Sequence, residues 1–311
     1  MVSRSTLNYR CLKITMINGR PSLLVAPNPF YDESPISWIL RVCQKHEISY
    51  PTLFRHFDLP LSYDPDLHFD VEHLINIARG TPVPEDHLHR LGKKYERIKR
   101  DRFLTTLLAT STRYGPRLRF CSLCLDTDPV PYFRTQWRFL DWEYCPTHRI
   151  KLTDRCSHCG RRWYGMSNEP KKTPNGQMQS IRDCPTCLYP LSPSKMPEAD
   201  ACASDTILAH QNHLVSAALN GHFYIDGIDE PVSCTFVIWY LRWYARWLRP
   251  DYIVEAASIR RRTSFLDIGD KLPVVLTMYG ELHPGSVPRS CMLRKKITIP
   301  AGTNGASLHR G

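Results

Sequence analysis

Cys121, Cys124, Cys145, His148, Cys156, Cys159, Cys184 and Cys187 fall as four short pairs, each with two residues between its members, within one stretch of the chain. Donors at i and i+3 can close one turn around a tetrahedral metal, and two such pairs complete a structural zinc site. Four pairs therefore predict two zinc ions, one held by three cysteines and a histidine and one by four cysteines. Sequential pairing closes the shorter loops. An interleaved pairing, with Cys121 and Cys124 joined to Cys156 and Cys159, uses the same spacings. Each site has four protein donors, so neither keeps the open position of a catalytic zinc. Such a metal supplies folding free energy to a segment with little core of its own. His158, inside the third pair, reads as a finger-loop residue rather than a donor.

The rest of the composition agrees with this chemistry. Twelve cysteines in a chain of 311 residues suit metal binding in a reducing compartment better than disulfides. No run of eighteen apolar residues predicts a membrane span. Residues 1–20 lack the apolar core of a secretory signal, so the expected location is the cytoplasm. The formal charge is +11. Two filled zinc sites carry −1 and −2, which leaves about +8. A basic protein of this kind suits nucleic acid or an acidic protein as partner.

The expected fold is mainly α, with an N-terminal helical domain over 1–117, a double zinc-finger module over 118–190, a C-terminal helical segment over 200–250 and a weakly ordered basic tail over 270–311. The first twenty-five residues are expected to be a poorly structured lead or to hold a short strand at 22–25. Ser34 and Pro35 are a helix start, cap and first position. Ile36, Ile39, Leu40 and Cys43 then follow a helical period. Pro51 opens a second helix carrying Leu53, Phe54 and Phe57. Asp70 caps a third, with Val71, Leu74, Ile75 and Ala78 on one face. A break at Gly80, Thr81 and Pro82 precedes a helix from Pro84 with Leu88, Leu91, Tyr95 and Ile98 inward. That pair of helices suggests a helix-turn-helix. Lys93, Lys94, Arg97, Lys99 and Arg100 on the second helix form a candidate DNA-binding face, although a solvated helix surface has the same composition. Residues 165–180 read as an insertion within the second zinc site. A helix over 205–220 turns Leu208, Val215 and Leu219 to one side. Ser233 is expected to cap a Trp-rich helix bearing Phe236, Trp239, Trp243 and Trp247, which suits burial within the chain or against a second copy, a homodimer. Cys43 and Cys234 read as core thiols; Cys11, Cys202 and Cys291 have no role in the metal scheme.

Enzyme signatures are missing from the sequence. There is no H-x-E with P-C-x-x-C of a zinc deaminase, no H-E-x-x-H and no P-loop. A binding module without catalysis is the expectation.

Residues 27–41, Pro-Asn-Pro-Phe-Tyr-Asp-Glu-Ser-Pro-Ile-Ser-Trp-Ile-Leu-Arg, resemble the N-terminal signature of the TniQ (TnsD-related) transposition proteins. Phe120 to Leu125, then Tyr132 to Arg134 and Trp137, then Cys145, His148, Leu152 and Cys156 to Gly160 are similar in order and spacing to the zinc-finger region of that family. Ser122 stands where the family usually has proline, and the donors are untouched by it. The resemblance implies a target-selection factor of a heteromeric transposon. It further implies contact with an AAA+ ATPase regulator of the TnsC kind, with target DNA and, in some systems, with a CRISPR effector complex already seated on its target. Long members carry a large C-terminal DNA-reading region. This chain stops soon after the family helices, so an adaptor fits better than an autonomous reader. The resemblance also makes Glu33, Ser34, Trp38 and Arg41 a candidate partner-docking surface. Packing offers another role for each: Trp38 in the core, Ser34 as a cap, Arg41 paired with Glu33 or Asp32. Arg134 and Trp137 read as packing between the fingers. The competing reading is a free-standing, sequence-specific DNA-binding regulator using the helix pair and the fingers.

Overall fold

The computed structural model describes residues 14–17, 20–23, 25–79, 81–111, 115–165, 173, 176, 179–192, 203–223 and 231–235. They are mainly helical, with short two-stranded hairpins. The chain opens with an antiparallel hairpin, β1 (Ile14–Ile17) and β2 (Arg20–Leu23), in which Ile14 faces Leu23. The strand lies slightly upstream of the expected 22–25. Leu23 is buried and Val25 is exposed, so pairing stops where the chain turns toward the first helix.

Helix α1 (Pro35–His46) starts where its cap chemistry dictates. The Ser34 hydroxyl accepts from the Ser37 N–H at 3.3 Å, and Glu47 in the left-handed region ends the helix. Ile36, Ile39, Leu40 and Cys43 are all buried. Ser49 caps α2 (Tyr50–His56), with Pro51 in its first turn. After α3 (Pro65–His68), Asp70 caps α4 (Val71–Ala78) through a reciprocal pair of bonds with His73. The buried face of α4 is Leu74, Ile77 and Ala78. Val71 and Ile75, expected inward, are half-buried, because the core lies one position further round the helix.

The helix expected from Pro84 to Ile98 is interrupted. It forms α5 (Glu85–Lys93) and α6 (Glu96–Arg100), with Tyr95 outside helical geometry between them at φ −110° and ψ 13°. The break lets the buried Tyr95 hydroxyl donate to the Thr135 carbonyl at 2.9 Å, while Leu88, Leu91 and Ile98 remain inward. Gly92 sets the closeness of α5 to α4. A Cβ there would lie 2.8 Å from Val71 Cγ2 and 2.9 Å from Val71 Cα. Helix α7 (Arg102–Thr105) and a hairpin of β3 (Thr110–Ser111) and β4 (Gly115–Pro116) lead into the cysteine-rich part. That part holds α8 (Ser122–Thr127) and a 3-10 turn, Thr135–Arg138. Helix α9 (Asp205–Asn220) returns against α6. Its buried face is Gln211, Leu214, Val215, Ala217 and Ala218. Leu208 and Leu219 are half-buried.

The described residues up to Asn220 belong to one compact unit and those from Gly221 to another. The boundary expected at 117/118 therefore falls inside a unit. The cause is the loop between Cys124 and Cys145, which crosses the helical part as a strap. Phe133 O accepts from the Ser34 N–H at 3.0 Å, and the Thr135 N–H donates to Asp32 O at 2.7 Å. Arg138, fully buried, holds both Asp64 oxygens at 3.0 Å and also bonds Asp66. The other Asp66 oxygen accepts from the Ile36 N–H at 2.8 Å. A charge removed from water needs such partners, and here strap and helices supply each other's.

In the second unit β5 (His222–Phe223) pairs with β6 (Val232–Ser233). Ser233 is the last residue of a strand, and Cys234, buried, and Thr235 are helical after it. The Trp-rich run from Phe236, the tail over 270–311, and Cys11, Cys202 and Cys291 lie outside the described residues. Among the described residues no helix is long and apolar enough to cross a membrane.

Candidate metal centres

The eight predicted donors gather into two sets in sequential order: Cys121, Cys124, Cys145 and His148, then Cys156, Cys159, Cys184 and Cys187. Within each set the donor atoms lie within 4.8 Å of one another. In the four-cysteine set, Cys156 Sγ is 3.8 Å from Cys187 Sγ, and Cys159 Sγ is 3.7 Å from Cys184 Sγ. A zinc–sulfur bond of about 2.3 Å in a tetrahedron gives a sulfur–sulfur edge of about 3.8 Å. A disulfide would require about 2.05 Å. In the other set, Cys124 Sγ is 3.5 Å from Cys145 Sγ, and His148 presents Nδ1 at 3.3 Å from Cys124 Sγ. Both donor sets can hold a metal ion, and thiolate-rich tetrahedra suit zinc.

Three of the four pairs use one local design. In Cys145–His148, Cys156–Cys159 and Cys184–Cys187, the residue after the second donor is left-handed: Arg149 at φ 60°, Gly160 at 67° and Leu188 at 62°. Its N–H returns to the carbonyl of the first donor, at 2.7, 3.0 and 2.9 Å respectively. The carbonyl of the following residue, Ile150, Arg161 or Tyr189, accepts from the N–H of that first donor. Bridges Tyr144–Lys151, Arg155–Arg162 and Asp183–Pro190 close each knuckle. Backbone N–H groups also aim at the sulfurs, as His148 N does at Cys145 Sγ (3.5 Å) and Thr186 N at Cys184 Sγ (3.4 Å). Such donors favour the thiolate form that a metal needs. The pair Cys121–Cys124 differs: Cys121 is the N-cap of α8, and its sulfur accepts from the Cys124 N–H at 3.4 Å. Of the three left-handed positions only Gly160 carries a sequence signal; Arg149 and Leu188 give none. His158 stands outside both donor sets and stacks on Tyr189, with ring centroids 4.4 Å apart.

The residues expected to dock a partner lie inside the protein. Glu33, Ser34 and Trp38 have no exposed surface and Arg41 has 9%. Glu33 accepts from Arg41 at 2.6 Å, from the Ser37 hydroxyl at 2.8 Å and from the Phe30 N–H at 3.0 Å. Trp38 Nε1 donates to Pro27 O at 2.8 Å. These four side chains brace the loop before α1 rather than form a surface, which corrects the docking expectation. The loop they brace presents Phe30, stacked on Tyr132, and Tyr31, which is 79% exposed. Arg134 pairs with Asp32 at 3.3 Å and Asp128 at 3.0 Å and lies over the Tyr132 and Trp137 rings, tying the first metal site to that loop.

The five basic residues of α5 and α6 divide. Lys94 bonds the Tyr31 carbonyl and sits over the Tyr31 ring; Lys99 bonds the Phe69 carbonyl. Burial lowers the pKa of both amines. Arg100 pairs with Glu96. Lys93 and Arg97 are exposed. The face thus offers fewer outward charges than five.

Residues 24–152 match the family model described as TniQ. No curated protein matches the chain.

Proposed function

We propose, from the match of residues 24–152 to the TniQ family model, that the protein is transposition-associated and acts as a target-selection adaptor. It links target DNA, or an effector such as a CRISPR complex already bound to that DNA, to an AAA+ regulator of the TnsC kind, and so directs insertion. Proteins of the TniQ family take part in transposition without catalysis. The observation that carries the reading is a closed donor set inside the matched residues, with a second set just beyond them: metals held there would supply rigidity to a binding surface, not an open coordination position. Two structural zinc ions per chain are part of the proposal. The braced loop with Phe30 and Tyr31, rather than Glu33, Ser34, Trp38 and Arg41 themselves, is the candidate partner surface on the helical side.

The test is binding of the zinc-loaded protein to the AAA+ regulator with ATP, with and without a DNA duplex. An adaptor binds more tightly when both are present. No binding, together with a preference of about 10³ or more for one duplex over competitor DNA, would instead support the free-standing DNA-binding regulator. The outward Lys93 and Arg97 favour that second reading. Reversing their charge is expected to weaken duplex binding for every sequence alike, and unchanged binding at low salt removes that helix from the DNA-facing surface.

A further inference from the structure

The arginines of the Cys156–Cys159 knuckle have no place in the scheme above. Arg155 and Arg162 are directly opposed across its closing bridge, so both side chains leave the same face. Arg155 and Arg161 are exposed, and Arg162 is half-buried. Opposed like charges destabilise a ladder unless something between them is negative. Asp154 compensates only in part: it is shared at 3.2 Å by Arg162 and by Arg117. The four arginines and Asp154 sum to +3. Neighbouring cations are already engaged, Arg149 with Asp205 at 2.5 Å and Lys151 with Glu143 at 3.4 Å. Arg155 bonds only a carbonyl, Gly160 O at 3.1 Å, among the partners described for its side chain.

Compensation of the four thiolates is one role for these charges. The sulfurs, however, take hydrogen bonds from the backbone: the Arg161 N–H serves Cys159, and the N–H groups of Cys187 and Thr186 serve Cys184. The guanidinium groups of Arg155 and Arg161 are left for another anion, and Arg162, held by Asp154 and Tyr164, adds its charge beside them. On the same metal site the stacked His158 and Tyr189 offer a flat aromatic face, with Tyr189 48% exposed. Guanidinium forks match phosphate oxygens, and exposed rings stack on bases. An acidic peptide would use the charges but not the rings.

We propose that the outer face of the second metal site binds a nucleic-acid strand, with Arg155, Arg161 and Arg162 on successive phosphates and the His158–Tyr189 pair against a base. This rests on the transposition reading for the identity of the polyanion, and it adds a contact at the zinc knuckle to the one expected on α5 and α6.

The test measures affinity of the full-length, zinc-loaded protein for a duplex and for the matching single strand across a salt series, with zinc content measured for each variant. Replacing Arg155, Arg161 and Arg162 together by Gln is expected to lower the salt slope by about two to three, since each phosphate contact contributes about 0.7–0.9. Tyr189→Ala, which leaves the charge unchanged, is expected to weaken single-strand binding about tenfold. An unchanged slope in a triple variant that keeps its zinc overturns the proposal. Should the triple variant lose zinc, Arg161→Gln alone decides: a slope lower by about one supports the site, and an unchanged slope overturns it. Failure here leaves binding to the AAA+ regulator untouched, so the two proposals fail separately.

Discussion

Glu33 shows how much a single residue carries. Its carboxyl accepts three hydrogen bonds, yet burial outweighs the Arg41 guanidinium and pushes its pKa from 4.5 up to about 7. A carboxyl with a raised pKa in the folded protein binds its proton more tightly folded than unfolded. Its contribution to stability is therefore full below about pH 4.5 and lost as pH rises through about 7. Glu33→Gln removes that titration. The stability of the parent protein minus that of Glu33→Gln, from urea unfolding, is expected to fall between pH 4.5 and 7; a flat difference would refute the assignment. Taking the difference cancels acid release of metal, which both proteins share. Arg138 makes the complementary case. Arg138→Met leaves Asp64 and Asp66 buried beside a methyl group, and the expected loss is about 3–5 kcal/mol in the same measurement. A loss below about 1 kcal/mol would mean that water reaches the carboxylates.

At the scale of elements, local rules are legible in the sequence and distant pairings are not. Ser34, Ser49 and Asp70 cap the helices they precede because a cap needs only a residue and the N–H three positions on. The metal donors are legible for the same reason, each pair being a local turn. The strap is not: Asp64 and Asp66 meet Arg138 across more than seventy residues, and such a pairing leaves no periodic trace. The break at Tyr95 is another such case: its hydroxyl reaches the Thr135 carbonyl across forty residues. Gly92 gives the test proper to this scale. In an exposed helix Gly→Ala gains up to about 1 kcal/mol. Here the added methyl meets the Val71 backbone, which cannot swing aside, so α4 and α5 must separate. Gly92→Ala is expected to cost about 1–3 kcal/mol. A stabilising substitution would show that the helices are not so close.

The whole molecule depends on where the first metal site stands in the chain. Cys124 and Cys145 bound a loop whose middle is the strap, so a metal at this site closes that loop at both ends. By analogy with a cross-link of this length the closure contributes about 3 kcal/mol. Asp128, at the C-cap of α8, takes Arg134; Arg134 takes Asp32; Tyr132 donates to Asp32 at 2.8 Å. The second site joins a different stretch, Cys156 to Cys187, that includes no strap residue. The two sites should therefore be unequal in what they support. Cys145→Ser is expected to reduce bound zinc from two ions to one and to speed amide exchange both in 131–138 and in 30–37, far from the lost donor in sequence. Cys187→Ser is expected to lose the other ion and to speed exchange around 156–163 and 184–191, with 30–37 still protected. Zinc content and hydrogen exchange on the two variants check this together. Equal exchange in 30–37 would mean that the helices hold the loop without the strap, and retention of both ions in Cys145→Ser would refute the donor assignment. The expected asymmetry gives the two sites separate work: the first fixes the Phe30–Tyr31 loop against the helices, and the second holds up the arginine knuckle.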